Sequence, residues 1–172
     1  EIAVIFYQKQ QEMIGGNEKM KKVVAGLLAA FCLILVAGCS NTSEKDVDLK
    51  EILEKFNSDF DLSDNMKEMT DVSDLNKYYS IDTNDVVSFA AEIDTSGLDE
   101  IVLVQAKDAE AAARVEEKLQ ARYDSRSKEI ASYSPENYEI MKKCEVKTDG
   151  NYVRMIFAES AQEMVEVYNS YF

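Results

Sequence analysis

Residues 85–106 read DVVSFAAEIDTSGLDEIVLVQA. The stretch is rich in β-branched and apolar residues and is broken once by a polar turn around Gly97, so it predicts two strands joined by a short loop. In the first strand, residues 85–93, Val87, Phe89, Ala91 and Ile93 alternate onto one face. In the second, residues 100–106, the run Ile101-Val102-Leu103-Val104 is continuous. A strand with no polar side is either covered on both faces or central in its sheet.

Helices flank this pair. Upstream, Asp48 is placed to cap a helix with Glu51 three residues on, and Leu49, Ile52, Leu53, Phe56 and Phe60 recur at helical spacing. After a polar break at residues 59–64, Ser63 is placed to cap a second, weaker helix carrying Met66 and Met69. Ser73 is placed to cap a third turn through Leu75, Tyr78 and Tyr79. Downstream, residues 108–133 predict the longest helix, with Ala112, Val115, Leu119, Tyr123, Arg126 and Ile130 as its inward stripe. Glu110–Arg114 and Asp124–Lys128 are spaced as i,i+4 ion pairs along it. Ser134-Pro135 then starts a short helix with Tyr138 and Met141, since proline suits the first helical position.

The pattern then repeats. Asp149-Gly150-Asn151 separates two strand-like runs, residues 144–148 and 152–158, and Asp-Gly is a strong hairpin signal. Ser160 and Glu163 read as a capping box opening a last helix, with Met164, Val165, Tyr168, Tyr171 and Phe172 on its buried side. The order is helices, then ββα(α), then ββα. That order predicts an α+β domain with a mostly antiparallel sheet and helices packed on one face. Its expected extent is residues 47–172.

The segment before that domain has a different character. Residues 23–36 read VVAGLLAAFCLILV and carry no charge over 14 residues. A spanning helix takes roughly 20 apolar residues, so this run is short for a permanent anchor and suited to the core of a signal peptide. Lys21 and Lys22 precede it and Val36-Ala37-Gly38-Cys39 follow it. That tetrapeptide, after a charged start and an apolar core, resembles the lipobox of bacterial lipoprotein precursors. The resemblance implies that a signal peptidase recognising Val36, Ala37 and Gly38 cuts before Cys39. It also implies that the Cys39 thiol carries a diacylglycerol with palmitate-type chains. Met20 is the expected start, residues 1–19 a translated leader, residues 20–38 the signal peptide and residues 39–46 a polar, lipidated tether. Two adjacent glycine codons, Gly15 and Gly16, can spell a purine-rich sequence at a spacing suited to initiation at Met20.

From Tyr78 onward, four stretches carry a second resemblance: Tyr79-Ser80-Ile81-Asp82, Asp99-Glu100-Ile101, Tyr133-Ser134-Pro135-Glu136 and Gly150-Asn151-Tyr152-Val153. Their order and spacing resemble a domain-of-unknown-function family of small Gram-positive lipoproteins. That family implies no activity and no catalytic residue.

Composition narrows the chemistry. The net charge is -14, a sign that repels phosphate backbones and argues against nucleic-acid binding. The chain contains no histidine, so Ser-His-Asp and Cys-His mechanisms are ruled out. Of the 3 cysteines, Cys32 lies in the signal segment and Cys39 is the lipid site. Cys144 is then left alone in the domain, with no disulfide or zinc partner. Lys142 and Lys143 sit beside it, yet without a base or second thiol it reads as a small buried hydrophobe. Calcium loops of the EF-hand type need a central glycine and a terminal glutamate. Loops starting at Asp59 and Asp94 offer Asp64 and Asp99 for the first and Thr70 and Gln105 for the second, and both fail. Asn41-Thr42-Ser43 fits a glycosylation sequon but reads better as tether. Tyr123, Tyr133, Tyr138, Tyr152, Tyr168 and Tyr171 either line a groove for sugar or peptide or, as their spacing favours, serve as core and rim.

The sequence therefore predicts a non-enzymatic binding or interaction domain, exported and lipid-anchored to the outer face of the bacterial cytoplasmic membrane. It predicts no catalytic residue, no metal and no cofactor, and an envelope protein or small ligand as partner. The competing expectation is a hydrolase or lyase using two carboxylates about 5 to 9.5 Å apart in a cleft.

Overall fold

The computed structural model describes residues 46–172, and Cys39 and the rest of the expected signal and lipid segment lie outside them. Helix α1 (Leu49–Asp59) opens on Asp48, whose carboxylate accepts from the backbone N–H groups of Lys50 and Glu51. Strand β1 (Lys67–Glu68) and helix α2 (Val72–Tyr79) follow, then a 3₁₀ turn (Thr83–Asp85). Strands β2 (Val86–Ile93) and β3 (Glu100–Ala106) form the hairpin read from residues 85–106. Helices α3 (Ala109–Tyr133) and α4 (Pro135–Met141) lead to strands β4 (Glu145–Asp149) and β5 (Tyr152–Phe157) and helix α5 (Ala161–Asn169). The class is α+β, and every strand pairing in the sheet, ordered β1-β2-β3-β5-β4, is antiparallel.

The apolar run in β3 is central and also covered on both sides. Glu100, Val102 and Val104 share a face with Phe157, Met155 and Val153, their partners on β5. Helix α3 covers that face: Arg122 donates to Glu100, and the Tyr123 ring lies 5.7 Å from Phe157. Ile101 and Leu103 point the other way, with Ile156 and Arg154. That second face lies under α1, whose Asn57 donates to Glu92, and under α5, whose Tyr168 ring stacks beneath Arg154 at 5.5 Å. The expected one-sided packing is therefore corrected to a three-layer arrangement. The physical reason is visible in β5, where all six residues are buried and no polar face is left for water.

Local differences from the sequence reading have local causes. Residues 66–69 do not form a helix on Ser63. They pair with the end of β2, Lys67 opposite Ile93 and Glu68 opposite Glu92, because ladder bonds to an existing strand outweigh a weak isolated turn. Asp71, not Ser73, caps α2, its carboxylate accepting from the Ser73 N–H. Val87 leaves the shared face because a bulge between Val86 and Ser88 turns it outward. Arg114 forms a bidentate pair with Asp85 instead of pairing with Glu110, and Asp124 accepts from Gln120 rather than Lys128. Pro135 occupies the first turn of α4 as expected, but neither Ser134 nor Ser160 makes a side-chain cap, so the capping box on α5 is not formed. In the second hairpin Asp149 pairs with Tyr152, so the loop is Gly150-Asn151, with Gly150 at φ 61°. A positive φ at the first loop residue is the position glycine suits.

Ser80 ends α2 in the left-handed region, at φ 59° and ψ 29°, with its N–H bonded to the Asn76 carbonyl. A side chain there costs about 1–2 kcal/mol, partly offset by the larger unfolded-state entropy of a glycine. Ser80→Gly is expected to raise stability by about 0.5–1 kcal/mol, read as a higher urea midpoint at unchanged slope.

Candidate functional site

The end of the sheet where β2 turns into β3 is the most organised polar region of the domain. Residues 94–99 form the turn, closed by Asp94 N–H donating to the Asp99 carbonyl. Ser63, brought alongside by β1, holds both carboxylates: its hydroxyl donates to Asp94 at 2.6 Å and its N–H to Asp99 at 2.9 Å. Ser96 donates its N–H and its hydroxyl to the other Asp94 oxygen, both at 2.7 Å. On the opposite side Arg126 donates to the Gly97 carbonyl at 2.7 Å, tying the turn to α3.

These bonds separate the two acids electrically. Ser63 and Ser96 stabilise the ionised form of Asp94 and hold its carboxyl down at about 2. Burial pushes Asp99 up, against the pull of the Ser63 N–H, and the charges of Asp94, Glu159 and Asp61 push the same way. Glu92, on β2 under α1, is 4% exposed; burial raises it too, opposed by the Asn57 amide, and the Glu68 and Asp99 charges add to the rise. A pair of carboxylates driven apart is the arrangement acid–base chemistry uses. Here, however, both oxygens of Asp94 are taken by serine donors, so the carboxylate fixes the turn instead of standing free as a base. Next to it an open depression of about 300 Å³ is lined by Asp64, Asn65, Met66, Lys67, Asp94, Thr95 and Ser96. Among the described residues no three acidic or cysteine side chains gather closely enough to hold a metal ion.

Two predictions arise from this turn. A Cβ on Gly97 would strike the Asp94 carboxylate, which its serine donors hold in place. Gly97→Ala is therefore expected to destabilise by about 1–3 kcal/mol in chemical denaturation. The pH profile follows from the signs. Glu92 and Asp99 are raised, so the folded state binds more protons than the unfolded one above their ordinary range. Stability is then gained as pH falls from neutrality through their folded values. Asp94 is lowered to about 2, so its contribution is complete above the ordinary carboxylate range and is lost as pH falls through it towards 2. Thermal melts should peak at mildly acidic pH and drop steeply below it.

A second polar cluster underlies the turn. Glu100, 1% exposed, accepts from Arg122 Nε and Nη2 at 2.8 Å each, with Arg126 Nε 3.9 Å away. Burial and then the Glu100 charge push the Tyr79 hydroxyl well above its ordinary value. Tyr79 and Glu100 come from two of the four stretches that carry the family resemblance, and the fold brings them together. Glu100 and Arg122 join β3 to α3, with Tyr79 of α2 beside them. A third group, Asp85 with Arg114 and Lys107, sits at the opposite end of the sheet; Arg114 first, and then Lys107, keep Asp85 well below its ordinary value.

The expected residues fall out as follows. Val36, Ala37, Gly38 and Cys39 lie outside the described residues. Cys144 is buried, its thiol facing the carbonyls of Ile140 and Ala158 and pushed up by burial, as a small core residue. The tyrosines do not share a groove. Tyr152 and Tyr168 are buried on the α1/α5 face, Tyr123 packs on the α3 face, and Tyr133 is 61% exposed at the end of α3. Sequence reasoning did not single out Ser63, Asp94 and Asp99 as a unit, because Ser63 is 31 residues from Asp94 and only the pairing of β1 with β2 joins them. Among the described residues no helix is long and apolar enough to cross a membrane.

No curated protein and no solved structure matches the chain. A family model does match, over residues 58–158. The match begins upstream of the Tyr78 boundary read from sequence, taking in Ser63 and β1, and stops before α5. Spanning more than half of the chain and the whole sheet, it shows that the protein belongs to the family described as "Domain of unknown function (DUF4358)".

Proposed function

We propose that this protein is a lipoprotein of the bacterial cell envelope, held by acyl chains on Cys39 to the outer face of the cytoplasmic membrane. The domain is a non-catalytic interaction module for an envelope protein or small ligand. The observation that carries this reading is the ordered series Lys21-Lys22, the uncharged run 23–36 and Val36-Ala37-Gly38-Cys39. The fold agrees with it in one respect: Val47, eight positions after Cys39, is already buried, with its N–H donating to the Tyr152 hydroxyl. A folded domain then follows the tether at once.

The test is fractionation of a bacterial host making the full chain. A lipid-anchored protein stays in the membrane pellet through high-salt and alkaline washes and enters detergent. Recovery in the soluble fraction overturns the reading. The competing reading is a carboxylate-dependent hydrolase or lyase in which Asp99 would donate a proton beside an Asp94 already held by its serine donors. Release of sugars or peptides from envelope material by the purified domain, abolished in Asp99→Asn, would establish it.

A further inference from the structure

We propose that the end of the domain built around Val87 and Phe89 rests on the bilayer surface. The inference deepens the lipid-anchored reading and depends on it. The start of α1, the start of β2 and the end of β3 converge there around a cavity of about 430 Å³, lined among others by Val47, Leu49, Val87, Phe89 and Gln105. Val87 is 62% exposed, the most exposed large apolar side chain among the described residues, and the bulge in β2 is what turns it out. Bulges commonly re-aim side chains in this way. Phe172, 49% exposed, belongs to the same end, since its ring packs on Tyr152 at 4.9 Å and Tyr152 meets Val47.

Covalent reach selects the occupant. Cys39 and Asp46 are separated by seven peptide units, and an extended chain covers at most about 3.6 Å per residue, so the acylated thiol lies within about 25 Å of the start of this face. Charge selects the same orientation. Asp46, Asp48 and Lys50 give the tethered end mixed charge. Helix α1 runs from here to the other end of the sheet, where Asp59, Asp61, Asp94, Asp99 and Glu159 are concentrated. An anionic leaflet repels that acidic end more strongly than this one, whose apolar side chains supply the attraction. Exposed apolar side chains next to a lipid tether fit the headgroup boundary better than they fit water.

The test uses the full, lipidated chain in vesicles of phosphatidylcholine and phosphatidylglycerol. A fluorophore is placed at Val87→Cys, Lys50→Cys or, at the acidic end, Thr95→Cys, and nitroxide-bearing lipids act as quenchers. Quenching at positions 87 and 50 is expected to exceed that at 95 several-fold, and adding Val87→Asp is expected to lower quenching at 50 at least twofold. Equal quenching at all three positions, in protein that still sediments with the vesicles, overturns the docked face and leaves the anchor standing. Contact between fluorophores at position 87 of neighbouring molecules also overturns it, in favour of a face between copies. Failure to sediment removes the anchor and the docked face together.

Discussion

A Cys39→Ser chain is expected to leave the membrane fraction almost completely after export, while its domain folds as before. The expected effect is large because the domain has little other means of attachment. Among the described residues no helix can cross a bilayer, and the net charge of -14 opposes binding to anionic lipid. A single myristoyl chain binds with a constant of only about 10⁴ M⁻¹, and each further buried methylene contributes about 0.8 kcal/mol. Removing two acyl chains at once therefore lowers partitioning by far more than about 10⁴-fold. Membrane pelleting of parent and variant measures it. The apolar face around Val87 adds too little area to retain the protein alone. A variant that remains as firmly pelleted as the parent would mean that the uncleaved segment itself is the anchor.

Glu100→Ala is expected to cost about 3–5 kcal/mol. Glu100 lies at 1% exposure at the start of the central strand, and its two oxygens are taken by Arg122. Removing the carboxylate leaves the half-buried Arg122 guanidinium without its anion and takes a charge from beside Arg126, whose side chain is 11% exposed. The same change removes one of two neighbouring staples between α3 and this end of the sheet, leaving Arg126 on the Gly97 carbonyl as the other. Urea denaturation followed by circular dichroism measures it. Replacing the pair together, Glu100→Leu with Arg122→Met, is expected to recover much of the loss, because a packed apolar pair needs no desolvation of charge. A Glu100→Ala loss below about 1 kcal/mol would show that water already reaches the pair.

The strands were legible because their residues have one dominant environment. The run Ile101-Val102-Leu103-Val104 could be satisfied only inside the sheet, and β3 lies there between β2 and β5. Helix α3 was legible for the same reason, down to Arg126 on its inward stripe, although only the fold shows that Arg126 reaches the Gly97 carbonyl. What could not be read locally was decided by partners distant in sequence. Residues 66–69 look like a weak helix until β2 offers a ladder. Arg114 looks like a partner for Glu110 until the chain returns Asp85 to its side. The second layer of helices was hidden because that face carries the polar residues Glu92 and Arg154, which the fold buries against Asn57 and Glu145. In the sequence the acidic turn stands out only as a calcium loop that fails. Its organisation depends on Ser63, and the bond from Ser63 to Asp94 exists only once β1 has paired.

Mass spectrometry of the N-terminal peptide of the mature protein, purified from bacterial membranes, tests the central claim most directly. The account predicts a chain whose first residue is Cys39, heavier than its sequence by a diacylglycerol group. A mature chain that starts elsewhere, or one that carries Cys39 as a free thiol, would contradict it.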